Sequence, residues 1–112
     1  MHIDERTVGH VMVLDLSGQL TLTKDGTLLK DKVHSLVNQG HKNLLVNLAK
    51  VDYIDSAGLG ELVGAYTTVT RAGGSLKLVH LTKRIHDLLT ITKLVTVFDT
   101  FDSEPDALKT FP

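Results

Sequence analysis

The residue types best suited to chemistry gather in one stretch of this sequence, Val51-Asp-Tyr-Ile-Asp-Ser-Ala-Gly-Leu-Gly-Glu-Leu-Val-Gly-Ala-Tyr66. Its hydroxyl, Ser56, has three candidate roles: nucleophile, helix cap, or acceptor of a transferred group. A nucleophile elbow requires G-x-S-x-G, and Ile54 stands where the first glycine belongs, with no acid or histidine placed to complete a triad. Gly58, Gly60 and Gly64 form a loose G-x-G-x-x-x-G after a strand, the beginning of a dinucleotide fingerprint. The acid that would end the following strand is missing, because His80 and Leu81 stand there. A phosphate-binding P-loop is excluded by the absence of G-K-[ST]. Two compatible roles remain for Ser56, a cap that accepts a backbone N–H at a helix start and an accessible acceptor at the same place.

The other reactive types are scattered. His2, His10, His34, His41, His80 and His86 show no H-x-H or H-E-x-x-H spacing and have no cysteine to assist them, so no metal site is expected. Lys83-Arg84 at a helix start could touch a phosphate, but two basic residues in a helix read first as a solvated face. Twelve Lys and Arg against thirteen Asp and Glu give a formal net charge of -1, which supplies no basic field for direct nucleic-acid binding. The absence of cysteine suits a reducing compartment. Met1-His-Ile-Asp-Glu-Arg6 lacks the apolar centre of a signal peptide, and no apolar run approaches a membrane span. A cytoplasmic location without membrane insertion is therefore expected.

Short apolar runs and 3.6-residue patterns alternate along the chain, which specifies the elements that must position Ser56. Val11 to Leu16 follows a turn at Gly9-His10 and an alternating stretch through Ile3 and Val8, the pattern of an opening hairpin. Asn43 to Leu48, Leu76 to Leu81 and Val95 to Phe101 are predicted as further strands. Leu29, Val33, Leu36 and Val37 mark a first helix ending at Gly40, and Leu59, Leu62, Val63 and Tyr66 a second, closed by Arg71 and Gly73-Gly74. Ile85, Leu88 and Leu89 mark a third with Thr82 as N-cap, and Asp106 to Phe111 a short closing helix after Pro105. The fold class is α/β: a mixed four- to five-stranded sheet with an antiparallel opening hairpin followed by β-α units.

Asp55-Ser56-Ala57-Gly58-Leu59-Gly60 resembles the Asp-Ser-(Ser/Thr/Ala)-Gly-Leu-Gly signature of bacterial anti-sigma factor antagonists of the STAS family. The likeness extends from Leu14-Asp-Leu-Ser-Gly18 to Phe98-Asp-Thr-Phe101. It implies a single STAS-like domain over residues 1–112 that is not an enzyme, holds no cofactor and is phosphorylated on Ser56. It further implies partner switching in sigma-factor-dependent transcription. The unphosphorylated domain binds an anti-sigma factor that is itself a GHKL-type Ser kinase, phosphorylation releases it, and a PP2C-type phosphatase resets it. A weak homodimer is compatible with this picture. Thr21 departs from the family, which often has an acid there, in a loop expected near the phosphorylation site. Similar domains also serve as scaffolds in signalling assemblies or as cytoplasmic subunits of lipid and anion transport systems, which is the alternative reading.

Advancing 100° per residue along the second helix puts Leu59, Leu62, Val63, Tyr66, Val69 and Thr70 on a core stripe. Ala57, Gly60, Glu61, Gly64, Thr68 and Arg71 fall opposite, so the outward face begins with almost no side-chain bulk. A glycine inside a helix costs about 1 kcal/mol relative to alanine. Gly60 and Gly64 are therefore expected to serve either a partner packed closely over them or a neighbouring helix of the same domain. The partner-binding set expected from motif and face together is Thr21, Asp55, Ser56, Ala57, Gly58, Gly60, Glu61 and Gly64.

Overall fold

Unbroken apolar runs are the signature of strands covered on both faces. Short apolar runs of that character begin Val11–Leu20 (β2) and Asn43–Ile54 (β3), which pair in parallel at the centre of a five-stranded sheet. The computed structural model describes residues 1–21 and 28–112. The charged strand His2–Val8 (β1) closes one edge antiparallel to β2. On the other side Ser75–Val79 (β4) and Thr100–Phe101 (β5) add parallel strands, giving the order β1-β2-β3-β4-β5. The expected mixed α/β sheet with its opening hairpin is the one observed.

Side chains of a strand alternate between faces, and here the alternation separates two cores. Met12, Leu14 and Leu16 of β2 join Leu44, Val46 and Leu48 of β3 on one face. Helices Leu28–Asn38 (α1), Ser56–Arg71 (α2) and Lys83–Ile91 (α3) cover that face with Leu29, Leu36, Leu62, Val69, Ile85 and Leu89. Val11, Val13, Leu45 and Val79 point the other way, against Ala107 of the short helix Glu104–Leu108 (α4) and Phe111 beyond it. Arg6 ties that helix to the hairpin, with Nη2 donating to Glu104 at 2.6 Å and to Asp15 at 3.0 Å.

Several boundaries differ from the sequence reading. Both central strands are longer than their apolar runs: β2 continues through Gly18, at φ 96°, to Leu20, and β3 continues through Lys50 and Asp52 to Ile54. The Val95 to Phe101 strand is cut to two residues. A left-handed Lys93 (φ 64°) leads into a 3-10 turn over Leu94–Thr96, and Phe98 turns inward to meet the Tyr66 ring edge-on at 5.2 Å. The helix predicted over Asp106 to Phe111 instead spans Glu104–Leu108, with Ser103 as N-cap. Pro105 fits its first turn because the missing N–H has no helical partner there. Thr70, placed on the core stripe from periodicity, is exposed, and Ala65 fills the core instead.

Candidate functional site

Parallel strands bring their C-terminal ends to one edge of the sheet, which is where Ser56 lies. Leu20 and Ile54, the last residues of β2 and β3, are register partners, and the Asp55 backbone N–H donates to the Leu20 carbonyl at 3.4 Å. Thr21, next after β2, and Ser56, the first residue of α2, therefore share one edge. The chain joining β2 to α1 beyond Thr21 lies outside the described residues.

The cap of α2 is Asp55, not Ser56. Asp55 is extended (φ -116°, ψ -177°), and its Oδ1 accepts the Gly58 N–H at 2.8 Å. The sequence reading had allowed Ser56 this task. With Asp55 performing it, Ser56 becomes an exposed residue of the first helical turn. Its hydroxyl is not needed to satisfy the helix terminus.

Each glycine of the motif has a different physical setting. A Cβ at Gly58 would overlap the Leu20 carbonyl oxygen and fall 2.6 Å from the carbonyl carbon, so the end of β2 rests directly on the first turn of α2. Among the described residues a Cβ at Gly60 would meet nothing within 4 Å. At Gly64 it would meet, among the described residues, only the Lys30 stem, with Cδ at 3.7 Å and Cε at 3.9 Å, ordinary van der Waals contact with a flexible side chain. Packing between α1 and α2 therefore requires glycine at neither Gly60 nor Gly64, although both incur the helix-propensity cost. Ala57 lies half-buried at the head of the same helix.

Glu61 does not stand on the outward face where periodicity put it. It is only 9% exposed, and its Oε1 has no hydrogen-bond partner among the described residues. Burial pushes its carboxyl above the usual carboxylate range, opposed by the Lys30 backbone N–H and ammonium and reinforced by nearby Asp31. The folded state thus holds the Glu61 proton more tightly than the unfolded chain. The resulting penalty is absent at acid pH below the unfolded value and develops as pH rises through the folded one. Glu61→Gln is expected to stabilise the protein by about 1 kcal/mol near pH 7.5 and by much less near pH 4.5. Thermal unfolding of both proteins at the two pH values checks this, and an equal difference at both would contradict it.

Sequence reasoning missed a groove flanking this edge. Ile54, Lys83, Arg84, Asp87, Leu88 and Ile91 line a space of about 410 Å³, with Ile91 78% exposed. Lys83 and Arg84 are exposed, as a solvated face requires; there Lys83 pairs with Asp87 at 3.0 Å, and the Arg84 guanidinium lies 4.5 Å over the ring of half-exposed Tyr53. The available signal was Ile91, an apolar residue out of phase with the buried Ile85 and Leu89 of its own helix. Among the described residues no group of His, Asp and Glu is arranged to hold a metal ion, and no helix is long and apolar enough to cross a membrane.

Known proteins share this architecture. The anti-sigma-B factor antagonist of Bacillus subtilis (strain 168) is 32% identical over 99 residues, covering 88% of this chain and 89% of that protein. The Thermotoga maritima protein TM1081 superposes with a TM-score of 0.89 at 24% identity, covering 97% of this chain and 93% of that one. SpoIIAA, an anti-sigma factor antagonist solved in its unphosphorylated form, gives a TM-score of 0.72 at 18% identity over 96% of each chain. The two structural likenesses speak for the fold, and the family follows from sequence: residues 2–107 match the STAS domain model, and the chain belongs to the STAS domain family.

Proposed function

We propose that this chain is an anti-sigma factor antagonist, binding an anti-sigma factor when Ser56 is unmodified and released when Ser56 is phosphorylated. The observation that carries the reading is the division of labour at the start of α2. Asp55 caps the helix, leaving the Ser56 hydroxyl exposed at the head of a face that Gly60 and Gly64 keep bare. The names of the relatives support the same reading.

In this account the partner is a GHKL-type Ser kinase, a PP2C-type phosphatase removes the phosphate, and all three work in the cytoplasm. The chain is substrate and ligand, and performs no chemistry itself. Thr21, Asp55, Ala57 and Gly58 form the rim around Ser56, and Gly60 and Gly64 admit the partner's backbone. Glu61 acts from beneath that face. Thr21 offers a hydroxyl where the family often has a carboxylate, so this rim carries one negative charge fewer.

Affinity capture with wild-type and Ser56→Glu baits identifies the partner as a protein retained by wild type alone. Incubating that partner with ATP and this chain should then add one phosphate, mapped to Ser56 by peptide mass. Modification mainly at Ser17, Thr21 or Ser35 would sink the assignment.

Gly60→Ala separates binding from folding at the same face. Alanine removes the helix cost of glycine and its methyl enters open space, so the unfolding free energy should rise by up to about 1 kcal/mol. The same methyl intrudes on a partner backbone packed there, so binding should weaken. A variant that gained stability and bound undiminished would show that the partner does not approach Gly60.

A further inference from the structure

We propose that Glu61 is a positioning residue: from α2 its carboxylate caps the first turn of α1, and this fixes the register in which α1 stands beside the partner face. The effect on the partner rests on the antagonist reading. The cap itself does not.

α1 begins at Leu28, so Lys30 is its third residue, and an N–H that early in a helix finds no carbonyl of the same helix to bond. The Glu61 carboxylate accepts that Lys30 N–H. A separate contact places the same turn against the same part of α2. The Lys30 stem passes Gly64, three residues beyond Glu61, with its Cδ 3.7 Å from where a Cβ would stand. Residues three apart in a helix are surface neighbours, so the hydrogen bond and the stem contact describe one meeting of the two helices. The sign of the charge suits the place, because the start of α1 is the positive end of its dipole. The Lys30 ammonium adds attraction, and exposed Asp31 in the same turn opposes it.

Stability alone does not select a glutamate here. It is only 9% exposed, and among the described residues its Oε1 is buried without a partner. A leucine of similar size would avoid that desolvation. What leucine cannot supply is direction. Apolar packing of Leu29 and Leu36 with Leu62 and Val69 is non-directional, and Gly64 offers α1 no side chain to interlock with. A hydrogen bond from one amide to one carboxylate is satisfied in a single register, the use for which a lone buried polar group between helices is best attested. Glu61 thus shapes the flank of the bare Gly60 and Gly64 face without touching the partner.

Amide hydrogen exchange at Lys30 and calorimetric titration of the purified anti-sigma factor, both on wild type, Glu61→Gln and Glu61→Leu, test this. Glutamine keeps the acceptor, whereas leucine fills the space without one. In Glu61→Leu the Lys30 amide is expected to exchange at least about tenfold faster than in wild type, with Val33 and Leu36 deeper in α1 unchanged. Binding should weaken about fivefold although the unfolding midpoint does not fall. Glu61→Gln should keep Lys30 protected and bind within about twofold of wild type. Unchanged Lys30 exchange in Glu61→Leu would overturn the cap, and lost protection with undiminished binding would overturn the positioning role. Should Glu61→Leu not fold, wild type decides: a Lys30 amide that exchanges as fast as a free one overturns the cap. Failure of wild type to bind would overturn the antagonist reading and with it the effect on the partner, while Lys30 exchange judges the cap with no partner present.

Discussion

Gly58→Ala is expected to destabilise the protein by about 3 kcal/mol or more, although alanine is favoured over glycine in a helix by about 1 kcal/mol. The added methyl would occupy the place of the Leu20 carbonyl oxygen and approach the Leu20 Cγ to 3.1 Å. No rotamer relieves an overlap between a Cβ and a backbone carbonyl. Either α2 lifts from the sheet, disturbing buried Leu59 and Leu62, or the end of β2 separates from β3 and breaks the pairing of Leu20 with Ile54. Both routes give up packing of fully buried leucines.

The midpoint should fall by roughly 12 °C or more for a chain of this size, given about 4 °C per kcal/mol. Gly60→Ala, two residues on in the same helix, should move it the other way. A Gly58→Ala protein as stable as wild type would mean that β2 does not press on α2.

That contrast shows which features of the site the sequence made legible. The motif located Ser56, and periodicity located the helix it begins, because both are local in the chain. The difference between Gly58 and Gly60 is not local. It depends on a carbonyl in β2, more than thirty residues away, and a one-dimensional pattern treats the two glycines alike. Glu61 was misplaced for a related reason: a helical wheel knows the sheet side from the solvent side but not that α1 occupies the flank. The cap shifted by one residue because Asp and Ser are both strong N-caps, and only the observed extended backbone at Asp55 decides between them. Central strands were recognised from their apolar cores and truncated at charged positions such as Lys50 and Asp52, which pairing with a neighbour tolerates at the end of the sheet.

Phosphorylation of Ser56 is expected to leave the fold intact and to weaken anti-sigma factor binding by at least about tenfold, equivalent to 1.4 kcal/mol. The modification adds about -1.5 to -2 charges near neutral pH. At the first residue of α2 it meets the positive end of the helix dipole and unfilled backbone N–H groups, a gain of about 0.3 to 1 kcal/mol. Asp55, which already occupies the Gly58 N–H, and exposed Asp52 repel it and offset part of that gain. Folding therefore changes little. The partner meets a different situation, because an anion at the edge of a close contact must shed water. Without a cation opposite, that cost reaches several kcal/mol.

Isothermal titration of one preparation of the anti-sigma factor against unmodified and Ser56-phosphorylated protein, with unfolding midpoints recorded on the same two samples, tests this switch most directly. The account predicts matching midpoints within about 2 °C and an affinity at least about tenfold lower for the phosphorylated form. Equal affinities, or a large fall in midpoint that accounts for the lost binding by unfolding, would contradict it.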